Sequence, residues 1–132
     1  MRMIADSNVL LRFVLGDDPK QYKVALDTMV KAEAVAVTNQ ALCEMVWVLR
    51  ARYGVSRLAI AATIRGLLET RNVVLDSATV NAGLAALEAG ADFADGVIGY
   101  EGRWLGGETF VSFEKKAVSA ILNQGQKAKL LN

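Results

Sequence analysis

The stretch RMIADSNVLLRFVLGDDPK, residues 2–20, decides the fold class. Residues 2–5 read as a short strand that stops at Asp6, and Asn8–Leu15 as an apolar helical turn after it. Gly16 ends that turn. Asp18 and Pro19 then open a second helix, Asp18 as N-cap and Pro19 at the first helical position, where its fixed φ suits the helix and its missing N–H costs nothing. A strand feeding straight into helices begins an α/β alternation, and the rest of the chain continues it.

The second helix runs to about Lys31, and the β-branched AVAVT at 34–38 reads as a strand. Asn39 caps a helix to about Tyr53, with Gly54 as its stop, and Ser56 caps the next, to about Thr70. NVVL at 72–75 is a third strand, and Ser77 caps a helix to Glu88. Residues 91–106 form another helix, TFVSF at 109–113 is the last strand, and a final helix runs from Glu114 to about Leu122. The tail, 123–132, is polar and basic and is expected to be loose. There is no repeat, linker or low-complexity stretch. The order predicts one α/β domain over 1–132, a parallel sheet flanked by helices on both faces with the first strand at its centre. In such sheets the active crevice lies at the carboxyl ends of the strands. That rule sets Asp6 and the Ser112–Glu114 segment at one edge.

Composition narrows the chemistry. With 53% hydrophobic and 22% charged residues, the 132-residue chain suits a compact fold and not a disordered one. Its apolar runs, such as Val9–Leu11 and Met45–Leu49, are far too short for a membrane span. The opening MRMIADSN meets an acid at position 6, which does not read as a secretory leader. One cysteine, Cys43, permits no internal disulfide, so a reducing, cytoplasmic setting is expected. The absence of histidine excludes Ser-His-Asp and Cys-His triads and, with one Cys, the usual zinc sites. Demanding chemistry must then rest on carboxylates, hydroxyls, lysines or a hard cation such as Mg²⁺ or Mn²⁺.

Five acids stand out. Asp6 ends the first strand, where it can cap the following turn, hold a cation, or do both. Glu44 lies in ALCEMVWVL, residues 41–49, beside Ala41, Met45 and Val48 on a helical wheel. An ionised carboxylate in apolar surroundings is costly unless paired or metal-bound, although a Glu at the stripe's edge can reach water or an Arg. Asp92 and Asp95 stand three apart in GADFADGVIG and share a helix face, as a capping pair also would. Phe93, Val97 and Ile98 are expected to bury that helix and leave Asp95 at the core's rim. Glu114, between Phe113 and Lys115-Lys116, needs no special purpose alone. If the five gather in one pocket, the remaining chain carries 15 basic against nine acidic residues. An acidic pocket in a basic surround is what cutting a polyanion requires.

Four ordered blocks resemble the PIN-domain nucleases, and among them the VapC-like toxin ribonucleases of type II toxin–antitoxin modules. The resemblance covers Met3 to about Val118. IADSNVLLRFVLGDDPKQ is similar to the family's opening D-[ST]-N-V-L stretch, and LCEMVWVLRARYGVSR to its second block. GADFADGVIG is similar to the D-F-A-D-A-L-I block, and FVSFEKKAV to the last, usually T-F-D followed by basic residues. Gly96 stands where Ala is common, a change that looks harmless for chemistry. Glu114 stands where Asp is usual, and Ser112 replaces Thr while keeping the hydroxyl.

What the resemblance implies is hydrolysis of RNA phosphodiester bonds with Mg²⁺ or Mn²⁺. Asp6, Glu44 and Asp95 match the metal-binding acids, with Glu44 able instead to orient the water. Glu114 is a catalytic acid of the outer shell, and Asp92, Asn8 and Ser112 are auxiliary. Arg12, Lys115 and Lys116 are candidate phosphate contacts. The implied partners are the RNA substrate and a small antitoxin laid along an apolar groove, in a homodimer or toxin–antitoxin hetero-oligomer. Phe13, Trp47 and Tyr53 are candidates for that groove or a self-association face, although Trp47 reads foremost as a core residue. Two rivals remain: a catalytically weakened PIN-fold module that binds RNA or its partner, and a receiver-like phosphoacceptor. The receiver reading fits poorly, because it needs a second acid beside the first and a lysine on a late strand.

Overall fold

The computed structural model describes residues 1–132. The chain is α/β, with seven helices and five short strands. Its contacts divide it into two compact units, Met1–Asp76 and Ser77–Asn132. No helix is long and apolar enough to cross a membrane.

The first unit contains β1 (Arg2–Ile4), α1 (Ser7–Leu15), α2 (Pro19–Lys31), β2 (Ala34–Ala36), α3 (Asn39–Ala51), α4 (Arg57–Glu69) and β3 (Val73–Val74). Local signals set most of these bounds. Gly16 takes φ 61° and donates its N–H to the Arg12 carbonyl, closing α1 in the left-handed geometry that glycine tolerates. The Asp18 side chain accepts from the Gln21 N–H at 3.0 Å, with Pro19 in the first turn, as expected. The cap of α3 is Thr38, whose hydroxyl accepts from Ala41 N–H at 3.1 Å, and not Asn39. A threonine ending a β-branched run reads as strand, which hides its capping role.

The strands run parallel in the order β1-β2-β3, so β2 and not β1 is the middle strand of this sheet. Met3, Val35 and Val73 fall in one cross-strand row, and Val35 is fully buried. Leu10, Leu42, Met45, Leu49, Ile60 and Ile64 are buried in the same unit, each contributing about 1.5–3 kcal/mol through removal from water. The opposite row is Ile4, Ala36 and Val74. Ile4 is 79% and Val74 59% exposed, whereas Val35 in the other row is fully buried.

The second unit contains α5 (Ser77–Glu88), α6 (Phe93–Trp104), β4 (Phe110–Ser112), α7 (Lys115–Asn123) and β5 (Ala128–Leu130). Phe93, Val80, Leu84, Leu87 and Ile121 form its core, with small Ala86, Ala91 and Ala120 where elements approach closely. Helices α5 and α6 meet through Gly83 and Gly96. A Cβ on Gly96 would lie 2.7 Å from the Ala82 carbonyl carbon, and one on Gly83 would meet the Phe93 ring. Ile98, expected to help bury α6, is exposed. The tail is not loose throughout: residues 128–130 form β5, which pairs in parallel with β4. Its three residues alternate partly buried and exposed, a pattern too short to read among lysines.

Candidate functional site

In the first unit the end of β1 delivers Asp6 to the start of α1. Its backbone is extended, and Oδ1 accepts from the Val9 N–H at 2.9 Å, so the capping role is realised on an exposed carboxylate. Asn8 is exposed in the first turn of α1. Glu44 lies on α3 between buried Leu42, Met45 and Val46, yet is itself exposed. Its neighbour is Gln40, whose Nε2 donates to Oε1 at 3.4 Å, a long and weak bond. The penalty for a carboxylate in apolar surroundings is therefore avoided, because Glu44 stands on the outer edge of the buried stripe.

A groove of about 580 Å³ runs between α1 and α2. Asp6, Asn8, Arg12 and Lys20 supply polar lining over an apolar floor that includes Val9 and Ala25. Arg12 is mostly buried. Its Nη1 lies 3.1 Å from Asp17 Oδ1, while its buried Nε has no hydrogen-bond partner. None of Phe13, Trp47 and Tyr53 lines this groove. Phe13 stacks on Tyr22 with centroids 6.5 Å apart, and the Tyr53 hydroxyl donates to Asp17 at 3.5 Å. Trp47 is not a core residue: it is 61% exposed, with the Arg52 guanidinium 6.0 Å from its ring centroid.

In the second unit three acids interact. Asp92 is the N-cap of α6, and Asp95 reaches back so that its Oδ2 accepts the Asp92 N–H at 3.0 Å, the returning half of a capping box. Glu114 occupies the N-cap position of α7, but its side chain makes no capping bond. Its backbone N–H donates instead to Ser112 Oγ at 3.0 Å, which makes Ser112 the residue that shapes this turn. Lys115 and Lys116 follow, both exposed.

Asp95 is half-buried, and its carboxyl is pushed above its ordinary value of 3.8. Burial is the largest cause. The hydrogen bond from the Asp92 backbone opposes it, and the charges of Asp92 and Glu114 add to it. The folded chain thus holds this proton more tightly than the unfolded one. The contribution of this group to stability is fully present below pH 3.8 and is lost as pH rises through the raised value. Asp95→Asn keeps an acceptor for Asp92 but cannot ionise. It should melt with wild type at about pH 3 and above wild type at about pH 7. An equal gap at both pH values, followed by thermal melts, would refute this origin of the shift.

In neither unit do three acidic or cysteine side chains converge closely enough to hold one ion among themselves. What the structure brings together is Asp92, Asp95 and Glu114 in one unit; Asp6 and Glu44 belong to the other. The sequence reading missed the polar ties of Arg12 and Tyr53 to Asp17, whose partners lie up to 36 residues apart, and the placement of Lys129 on a strand. Compared with family models, curated proteins and solved structures, the chain has no match.

Proposed function

We propose that the chain is a metal-dependent endoribonuclease of the PIN type, acting as the toxin of a toxin–antitoxin pair. The observation that carries this reading is Asp95. It is a half-buried carboxylate at a helix start, held beside two further negative groups whose charges oppose its ionisation. The capping box accounts for Asp92 beside Asp95 but not for the added charge of Glu114, and a cation would relieve that repulsion. The donor set suits a hard ion, since every candidate ligand is a carboxylate oxygen. Magnesium is commonly held by one or two carboxylates and several waters, so a single ion needs no cage of three acids.

In this reading Asp95 is a direct ligand, and Asp6 and Glu44 keep the roles the resemblance implies, Asp6 as a metal ligand and Glu44 as a ligand or the group that orients the attacking water. Glu114 acts through water, its longer side chain standing where Asp is usual. Bound Mg²⁺ or Mn²⁺ would lower the pKa of water and stabilise charge on the phosphate. Arg12, Lys115 and Lys116 would attract the RNA backbone; Arg12 is already paired with Asp17, which leaves the lysines the freer of the three. A single PIN-like domain, a cytoplasmic setting, an antitoxin partner and a homodimer or hetero-oligomer belong to the same proposal.

Titration calorimetry with Mn²⁺ tests the acid assignment. Binding is expected for wild type, lost in Asp6→Asn and weakened in Asp95→Asn. Equal binding by all three proteins would remove these acids from the metal site. Metal binding without RNA cleavage would favour the weakened, binding-only module.

A further inference from the structure

The second unit carries four exposed lysines in the segments that border β4 and β5, and an exposed aromatic ring directly after β4. Val111 on β4 is the register partner of Lys129 on β5, so the two side chains leave the same face of the ribbon, and both are exposed. Their strand neighbours Phe110, Ser112, Ala128 and Leu130 are all partly buried, so the other face is the one that packs. Phe113, the residue after β4, is 75% exposed. Lys115 and Lys116 open α7, and Lys127 precedes β5; all are exposed and none is ion-paired. Lysines in a helix's first turn oppose its dipole, so their placement does not serve α7.

We propose that these groups bind single-stranded RNA, with an unpaired base stacked on Phe113 and the phosphates tracking Lys115, Lys116, Lys127 and Lys129. It rests on the reading of RNA as substrate and adds how the strand is held. Four unpaired cations favour a polyanion over a second copy of this chain, which would bring the same charges. An exposed ring favours an unpaired base, because bases in a duplex have no free face to stack. Glu114 is the next residue after Phe113, and its charge is felt at Asp95. A strand stacked on Phe113 therefore lies beside the acids of this unit.

The test is fluorescence anisotropy with a labelled single-stranded RNA of about 12 nucleotides and the matching duplex, in chelator so that nothing is cut. The single strand is expected to bind at least about tenfold more tightly than the duplex. Phe113→Ala should weaken single-strand binding about 5- to 100-fold with its melting temperature unchanged. Lys127→Ala with Lys129→Ala should lower the slope of log affinity against log salt by about 1.4, at about 0.7 per phosphate contact. Equal binding of duplex and single strand, or wild-type binding by both variants, would overturn the proposal. So would concentration-dependent self-association abolished by Phe113→Ala with RNA binding intact, which would assign the face to a second copy. A protein that binds single strands through these residues but leaves RNA uncut in Mn²⁺ would keep the proposal and remove the nuclease reading. One that cuts RNA while both variants bind as wild type would do the reverse.

Discussion

Glu44→Gln is expected to lower RNA cleavage by about 100-fold or more while melting within about 2 °C of wild type. The first half follows from the proposed role. A carboxylate that holds an ion or takes a proton from water contributes about 10²- to 10⁴-fold, and an amide does neither. The second half follows from the structure. Glu44 is exposed, and its neighbour Gln40 donates over 3.4 Å, so the isosteric amide loses little. Surface changes of this kind fall within about 0.5 kcal/mol. Cleavage assays with thermal melts on the same preparation separate the roles. A variant that cuts as wild type would remove Glu44 from the chemistry, and one that melts much lower would make it structural.

Gly96→Ala should have the largest effect on stability. Alanine is the better helix former by about 1 kcal/mol, and Gly96 lies inside α6, so propensity alone favours the change. Contact decides otherwise. The new Cβ would lie 2.7 Å from the Ala82 carbonyl carbon and 2.8 Å from the Gly83 Cα, both backbone atoms of α5 that no rotamer can move aside. Helices α5 and α6 would have to separate around buried Phe93, at about 1–3 kcal/mol or more. A melting temperature lower by about 5–10 °C is expected. Gly102 in the same helix is the control. Nothing lies within 4 Å of its missing Cβ, so Gly102→Ala should melt at or above wild type. Equal shifts in the two variants would contradict the packing account.

Position 96 shows where the sequence was legible and where it was not. That residues 91–106 are helical could be read from capping and periodicity, both local signals. Whether Ala could replace Gly there depends on a backbone carbonyl fourteen residues earlier, which no local pattern encodes. The same division holds for the acids. Asp6 and Asp18 cap as read, because a cap is made within three residues. Glu44 could be read either as buried or as lying at the stripe's edge, because eight apolar letters surround it, and only the fold shows that it faces water. Asp95 at the rim was legible from its place beside Phe93. The opposing charge of Glu114, nineteen residues on, required the fold. Trp47 and β5 fail for another reason: an aromatic ring or a three-residue strand carries too little pattern to tell surface from interior.

The most direct measurement of the central claim is incubation of the purified chain with total RNA and Mn²⁺, with and without chelator, beside Asp95→Asn. The account predicts discrete fragments with Mn²⁺, none in chelator, and strongly reduced cutting by the variant. RNA left intact by wild type in Mn²⁺, or cut equally in chelator, would contradict it.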